Sequence, residues 1–495
     1  MAVGFFEFFP LALMLLHFGV GPPTQRAPDP EADAARFAAV AKHLDVGGVL
    51  YAYVSVDGDL TDLGAWVDGI LGEVRKVAPA IPVRNQVEQA LKVAGFADLA
   101  AVGFSSKSAG SGFRNKAFFY TPNGRKGVLR LFRGEPEPFE APALAPAGAE
   151  FVYEQHLDLK AARASAGDVA ETLMGPPGRA MLGMMMKQKI HPDSELTPER
   201  ILSDLDTKII VVVDAHDTKK FRPPGEAFEI PLTHAAVLVE GLGWLADEVA
   251  TLAQGEPGFE RIKGANWSGL RTADLADLLR PANEEPKTYR PALLHHLRSG
   301  KLVLATQYEF ADFLFVPKPN LAESREFRQV MEGLPNAGNA LAYASPRLFT
   351  LARETMNDII QTAPGPTEAG VASMLLEALL PSKSPGEASV TTNLPEGILT
   401  VSHSSFSHKS QLYTFGGAGA LTLLPALQTY YLFRGMKPVE VAPHEVLAEP
   451  IAPPVEVEVD ALEDIDQLLL ELPAHPTRFP PTPRKPPKDF EREGD

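Results

Sequence analysis

Gly48-Val-Leu-Tyr-Ala-Tyr-Val-Ser-Val56 alternates apolar with small or polar residues around a tyrosine. Two later stretches repeat the pattern: Ala149-Glu-Phe-Val-Tyr-Glu-Gln-His-Leu157 and Asn339-Ala-Leu-Ala-Tyr-Ala-Ser345. A period of two marks a half-buried strand, because successive side chains point to opposite faces. Each stretch follows a loop with Gly or Pro and leads into apolar spacings of three and four, the mark of an amphipathic helix. Those helices are expected at 60–76, at 158–174 with 178–188, and at 346–361.

Downstream of each comes another helix and then strands. In the first unit these are a helix at Asn85–Ala94 and strands at Leu99–Lys107, Lys116–Thr121 and Gly127–Phe132, with Pro122-Asn-Gly124 as a turn. In the second they are a helix at Thr197–Leu205 and strands at Lys208–Ala215 and His234–Glu240. Thr197-Pro-Glu-Arg200 offers a threonine N-cap and a proline at the first helical position, where its missing N–H costs nothing. In the third they are a helix at Thr367–Leu380 and strands at Glu387–Thr392 and Gly397–His403, turned by Leu394-Pro-Glu396. A further section, Arg261–Val316, reads as strands near 261–267 and 301–316 around a Leu-rich helix at 271–280 and then 291–298. The order predicts an α+β fold with helices on one face of antiparallel sheets, repeated as units 45–145, 146–334 and 335–410.

Composition bounds the function. The chain has 495 residues, 45% of them hydrophobic, enough to bury a core without covalent staples. It has no cysteine, which excludes disulfides, thiolate nucleophiles, Cys-ligated zinc, iron–sulfur clusters and c-type haem attachment. A net charge of −17 argues against a general nucleic-acid binder, since no excess of Lys and Arg exists to neutralise phosphates.

Both ends are unusual. Leu11–Leu16 followed by small residues and Pro22-Pro23 makes segment 1–22 signal-like or an anchor, although Glu7 stands where positive charge is expected. A buried N-terminal helix and a misassigned start are the other readings. Tyr413–Phe433 holds no charge over 21 residues, ends in Tyr430, Tyr431 and Phe433, and is followed by Arg434 and Lys437. As a helix it would span roughly 30 Å, one hydrocarbon core, so it reads as a transmembrane helix. The other reading is a buried strand and helix closing the last unit, supported by Thr422, Gln428, Thr429 and Pro425. The positive flank puts the tail in the cytoplasm and the body outside it.

The tail, 438–495, carries 14 acidic and 5 basic residues and 12 of the 45 prolines, a composition expected to stay disordered. Within it, Leu462, Ile465, Leu469 and Leu472 fall on one helical face with acids opposite. Asp460 and Glu463 form a capping box and Pro473 ends the helix, giving a segment that can fold into a partner's groove.

Tyr51-Ala-Tyr-Val-Ser-Val56, Phe151-Val-Tyr153 and Ala340-Leu-Ala-Tyr-Ala-Ser345, with the anchors at either end, resemble an uncharacterised bacterial family of predicted envelope proteins, a domain of unknown function. The resemblance covers about residues 45–408. It implies an extracytoplasmic location and transfers no catalytic residue.

Candidate chemistry is sparse. Asp214-Ala-His216-Asp217 closes the apolar run Ile209–Val213, and a histidine with two carboxylates at a strand end can ligate a metal or serve as base and orienter. The simpler reading is a solvated strand-to-turn transition. Ser402-His403-Ser404-Ser405-Phe406-Ser407-His408 pairs serines with histidines, but neighbours on an extended segment face apart and cannot form a triad. His295 and His296, on the expected helix, point about 100° apart and do not converge on one ion. Met174, Met181 and Met184–Met186 form a helical stripe expected to fill the core. Neither Ser108–Gly112 nor Gly416–Gly419 has a phosphate-loop pattern. The expectation is a non-enzymatic, envelope-associated binding or scaffold protein without a cofactor, with a membrane and a protein partner at the tail as its contacts. The alternatives are an exported hydrolase or metalloenzyme using Asp214, His216 and Asp217, and a soluble cytoplasmic binding module.

Overall fold

The computed structural model describes residues 29–56, 58–77, 86–131, 134–205, 208–221, 230–256, 258–272, 290–361, 373 and 384–410, with backbone alone for 77, 216–221 and 230–232. Thirteen strands form one antiparallel sheet. They are β1 (Leu50–Ser55), β2 (Ala101–Ala109), β3 (Gly112–Tyr120), β4 (Phe151–His156), β5 (Lys208–Phe221), β6 (Ile230–Val239) and β7 (Phe259–Lys263), then β8 (Trp267–Thr272), β9 (Ala292–His296), β10 (Lys301–Ala305), β11 (Ala340–Ala344), β12 (Glu387–Leu394) and β13 (Gly397–Ser404). Their spatial order is β1-β2-β3-β13-β12-β11-β4-β5-β6-β10-β9-β8-β7.

The helices are α1 (Pro30–Ala41), α2 (Asp59–Val77), α3 (Val87–Val93), α4 (Ala141–Leu144), α5 (Leu159–Met174) and α6 (Pro176–Lys187), then α7 (Pro198–Asp204), α8 (Gly243–Leu252), α9 (Tyr308–Phe315), α10 (Arg325–Val330) and α11 (Pro346–Gln361). Local chemistry sets several of their starts. Asp29, Asp158, Thr197 and Ser324 cap α1, α5, α7 and α10 through side-chain oxygens that accept backbone N–H groups.

The three tyrosine stretches become β1, β4 and β11. In each case the first strand pairs with the second across intervening helix (α11, among the described residues of the third), and the second pairs with the third as an antiparallel neighbour: β1-β2-β3, β4-β5-β6 and β11-β12-β13. The stretches meet like with like. The third strands β3 and β13 pair, and so do the first strands β11 and β4.

The tyrosines themselves are not equivalent. Tyr53 and Tyr343 lie on one face, in edge contact with Phe37 of α1 and Phe327 of α10. Tyr153 is one residue out of step: its neighbour Val152 stands opposite Tyr343, so Tyr153 points to the other face.

The main core lies on the Tyr343 face. Val152, Val212, Leu238, Leu294, Val303, Leu341 and Val390 pack there against Phe310 and Leu314 of α9 and Phe327 of α10. Helices nevertheless cover both faces. Leu302 and Leu293, which alternate with Val303 and Leu294, pack on Leu242 and Ala246 at α8 on the opposite side. The reason is the unbroken apolar run of β10, which gives both faces something to bury.

Several expected elements are different. The strand expected near 261–267 is broken by the turn between β7 and β8, and the helix expected at 271–280 begins within β8, its residues 273–280 lying outside the described residues. Gly127–Leu131 is a 3₁₀ helix rather than a strand, because Val128 N–H bonds the carbonyl of Ala94 at the end of α3 and Gly127 adopts φ +55° there. A Cβ at Gly127 would stand 2.1 Å from the Ala94 carbonyl carbon. The expected helix at 291–298 is strand β9, held between β8 and β10. The expected strand at 301–316 ends at Ala305, and 308–315 is α9, whose Phe310, Ala311 and Leu314 recur at helical spacing. No helix among the described residues is long and apolar enough to cross a membrane. Segments 1–22, 413–433 and 438–495 lie outside the described residues, as does the expected helix at 367–380 apart from Ser373.

α1 is seated on the sheet by a glycine. Gly103 of β2 faces Val40 and Leu44, and a Cβ there would approach them to 2.3 and 2.7 Å. Beyond the helix, Lys42 and His43 hold Glu396 in the β12–β13 turn at 2.7 and 3.1 Å, which keeps its carboxyl down at about 2. Gly103→Ala is expected to lift α1 and cost about 1–2 kcal/mol by overpacking. A thermal melt unchanged from wild type would show that α1 does not pack as described.

Candidate functional site

Where β4, β5 and β11 meet, Glu150 occupies the residue before β4. Its N–H bonds the Val213 carbonyl, and its carbonyl accepts from Ser345 N–H. The side chain is fully buried. Oε2 accepts from Ala215 N–H at 2.6 Å, and Oε1 lies 3.0 Å from Nη1 of Arg347, at the start of α11. Arg347 Nη2 donates to the Ala215 carbonyl at 3.0 Å, so one guanidinium spans both strand ends. Burial pushes the Glu150 carboxyl up to about 7; Ala215 N–H pulls it down, Asp214 pushes it up and Arg347 pulls it down. The arrangement can hold or release one proton near neutral pH.

Asp214 therefore has Glu150 as a neighbour, whose carboxyl its charge pushes up. Within β5, Asp214 stands opposite His234 of β6. The side chains of His216 and Asp217 lie outside the described residues. Among the described residues no group of three or more His, Asp or Glu is placed to hold a metal ion.

A second buried cluster begins two turns of pleat along the same strand. Glu154 Oε2 accepts from the N–H groups of Glu140 and Ala141 at the start of α4, at 2.8 and 2.6 Å. Its other oxygen lies 3.0 Å from His156 Nε2 and 3.9 Å from Lys208 Nζ. Glu140 Oε2 is 3.2 Å from Lys301 and 3.7 Å from Lys208, and Lys301 reaches Glu240 at 3.2 Å. Charges alternate along the chain of contacts, so each buried ion has a counter-ion. That is the pattern of a tie holding β4, β5, β6, β10 and α4 together.

The other singled-out residues do not converge. His295 and His296 sit on opposite faces of β9, not about 100° apart on a helix. His295 Nδ1 meets Asp247 of α8 at 2.7 Å, while His296 stacks on Phe315 and lies beside Trp267. His403 Nδ1 donates to the Val330 carbonyl, Ser404 Oγ donates to Glu387, and His408 N–H donates to Ser106 Oγ, so this segment is tied into the sheet. Ser108–Gly112 is the β2–β3 hairpin tip.

Most of the methionine stripe is not core, although Met174 of α5, against Gly178, and Met186 are half-buried. Met181, Met184 and Met185 of α6 are 41, 68 and 57% exposed, with Ile190 just beyond at 57%. The other face of α6 packs on α5, where Gly178 approaches the Ala170 carbonyl, and this leaves Met181, Met184 and Met185 outward. Leu462, Ile465, Leu469 and Leu472 lie outside the described residues, as does Gly416–Gly419.

Sequence reasoning missed Glu150, Glu154 and Arg347. A signal existed for the first two: positions 150, 152, 154 and 156 share a face, and Val152 marks that face as buried. Two glutamates and a histidine there require buried partners. Nothing local points to Arg347, which is 197 residues from Glu150 in the chain.

These features define a mixed helix-and-strand protein built on one large antiparallel sheet, with a neutral-titrating carboxyl and a buried ion chain at its centre. No family model matches the sequence, and no curated protein or solved structure matches it.

Proposed function

We propose that this chain is a non-enzymatic binding or scaffold protein of the cell envelope, which holds an apolar segment of a protein partner on the outer face of α6. The observation that carries the reading is the exposure of Met181, Met184, Met185 and Ile190. Unbranched, polarisable side chains adapt to varied apolar partners, and exposed clusters of them are costly unless covered. The uncharged run Tyr413–Phe433 and the apolar N-terminus support membrane attachment, with the body extracytoplasmic and the tail cytoplasmic. The tail face of Leu462, Ile465, Leu469 and Leu472 serves as a second docking element. The matching pairings of β1-β2-β3, β4-β5-β6 and β11-β12-β13 support descent from a threefold repeat.

A photo-crosslinking side chain in place of Met184, in cells, is expected to give one discrete adduct that Met185→Glu abolishes, with none from the same probe at Lys263. Equal labelling at both sites, or none at either, overturns the reading. A second reading, a hydrolase or metalloenzyme around Asp214, is favoured by the near-neutral titration of Glu150 beside it. Metal content that depends on His216, measured in the wild type and His216→Ala, would select it.

A further inference from the structure

The two edges of the sheet are built differently. At one, β7 runs Phe259-Glu-Arg-Ile-Lys263, with Glu260, Arg261 and Lys263 on an exposed strand, the usual protection against pairing with another chain. At the other, β1 runs Leu50-Tyr-Ala-Tyr-Val-Ser55, with no charge and no proline, and none of its residues is fully exposed.

The hydrogen-bond alternation shows which backbone groups of β1 face outward. Val56 N–H bonds the Ala100 carbonyl, and Ser55 stands opposite Ala101. Even-numbered residues of the strand therefore bond β2, and the N–H and C=O groups of Tyr51, Tyr53 and Ser55 point away from it. Among the described residues, no strand pairs with that side.

Large exposed apolar side chains bracket the same strand. Phe37 of α1, 44% exposed, sits over Tyr51 and Tyr53; Val49, directly before β1, is 44% exposed. The helix that β1 leads into, α2, exposes Trp66, Ile70 and Val74 at a spacing of four.

The molecule also contains the pairing that would cover this edge. β11 and β4, each the first strand of its stretch, pair antiparallel from Ala340 opposite Gln155 to Ala344 opposite Phe151. β1 is the remaining first strand, and it has the open side. We infer that β1 pairs antiparallel with β1 of a second copy of this chain, about a two-fold axis normal to the sheet, making one continuous sheet across a dimer. Such an axis keeps both faces aligned, as the β11–β4 and β3–β13 junctions do, and its interface is self-complementary.

The test uses the full-length chain, kept dispersed in detergent. The absence of cysteine means that any introduced thiol reports alone. Mass measured by light scattering is expected to be that of two chains. Of Tyr51→Cys, Ala52→Cys, Tyr53→Cys and Val54→Cys, at least one is expected to give a two-chain product with a short bis-maleimide, and Ile262→Cys on β7 none. Tyr53→Pro removes one outward N–H and is expected to yield single chains. Val49→Lys, at an exposed position that should spare folding, is expected to weaken association at least tenfold. A single-chain mass at all concentrations overturns the inference and leaves β1 to a segment of its own chain or to another protein. So does a two-chain mass with no linkage at β1 or with linkage at Ile262.

Discussion

Glu154→Ala is expected to destabilise the fold by about 3–5 kcal/mol, the range for removing one member of a buried, hydrogen-bonded ion network. Glu154 is fully buried and accepts two backbone N–H groups, at 2.8 and 2.6 Å, from the first turn of α4. Alanine leaves both donors without the Glu154 acceptor in a buried site and removes the carboxylate that Lys208 and His156 face, and each loss carries a desolvation penalty. Glu154→Gln keeps one carbonyl acceptor and is expected to cost less, about 1–3 kcal/mol. Urea denaturation read by far-ultraviolet circular dichroism measures both. A double cycle with His156→Ala should show coupling, since the ring lies 3.0 Å from the carboxylate. If Glu154→Ala unfolds within half a kcal/mol of wild type, the cluster is not a structural tie, and its ions would be available for chemistry.

The parts of the fold that were legible in the sequence are those in which local signals agree. The helix expected at 346–361 is α11, described over those residues, because Pro346 opens it and its apolar residues keep helical spacing throughout. The hairpin at 387–403 is also where alternation and Leu394-Pro-Glu396 placed it. Legibility failed where an apolar run is short and continuous. Leu293-Leu294 satisfies strand and helix periods equally, and only its neighbours in the sheet select the strand, whereas the strand read at 301 holds to Ala305 and gives way to helical spacing at Phe310, Ala311 and Leu314. The histidine pair at 295–296 inherited that error.

Sites suffered for a different reason. Asp214 was visible at the end of an apolar run, but the carboxyl it acts on, Glu150, precedes β4 and is held by Arg347 of α11, and chain separation hides such meetings. The methionines of α6 were read as core from their spacing alone; spacing identifies a face, and only packing says whether that face is covered.

Glu150 makes the stability of the protein pH-dependent in a direction opposite to most carboxylates. Folding raises its carboxyl from 4.5 to about 7, chiefly through burial. Between those values the folded chain holds a proton that the unfolded chain has released, so stability falls as pH climbs through the window and levels off above about 7. The gap corresponds to at most on the order of 3 kcal/mol, which water around the half-exposed Arg347 reduces toward about 1. Glu150→Gln keeps a carbonyl for Ala215 N–H and cannot ionise, so it is expected to lie closest to wild type at the acid end of the range and to exceed it increasingly as pH climbs to 8. Asp214→Asn removes the neighbouring negative charge and is expected to move the wild-type transition to lower pH, while Arg347→Ala moves it higher. Unfolding free energies from pH 4.5 to 8.5 measure all four proteins. Should the Glu150→Gln curve overlay that of wild type, the pH dependence belongs to another group, and Glu150 is an ordinary carboxylate held by Arg347.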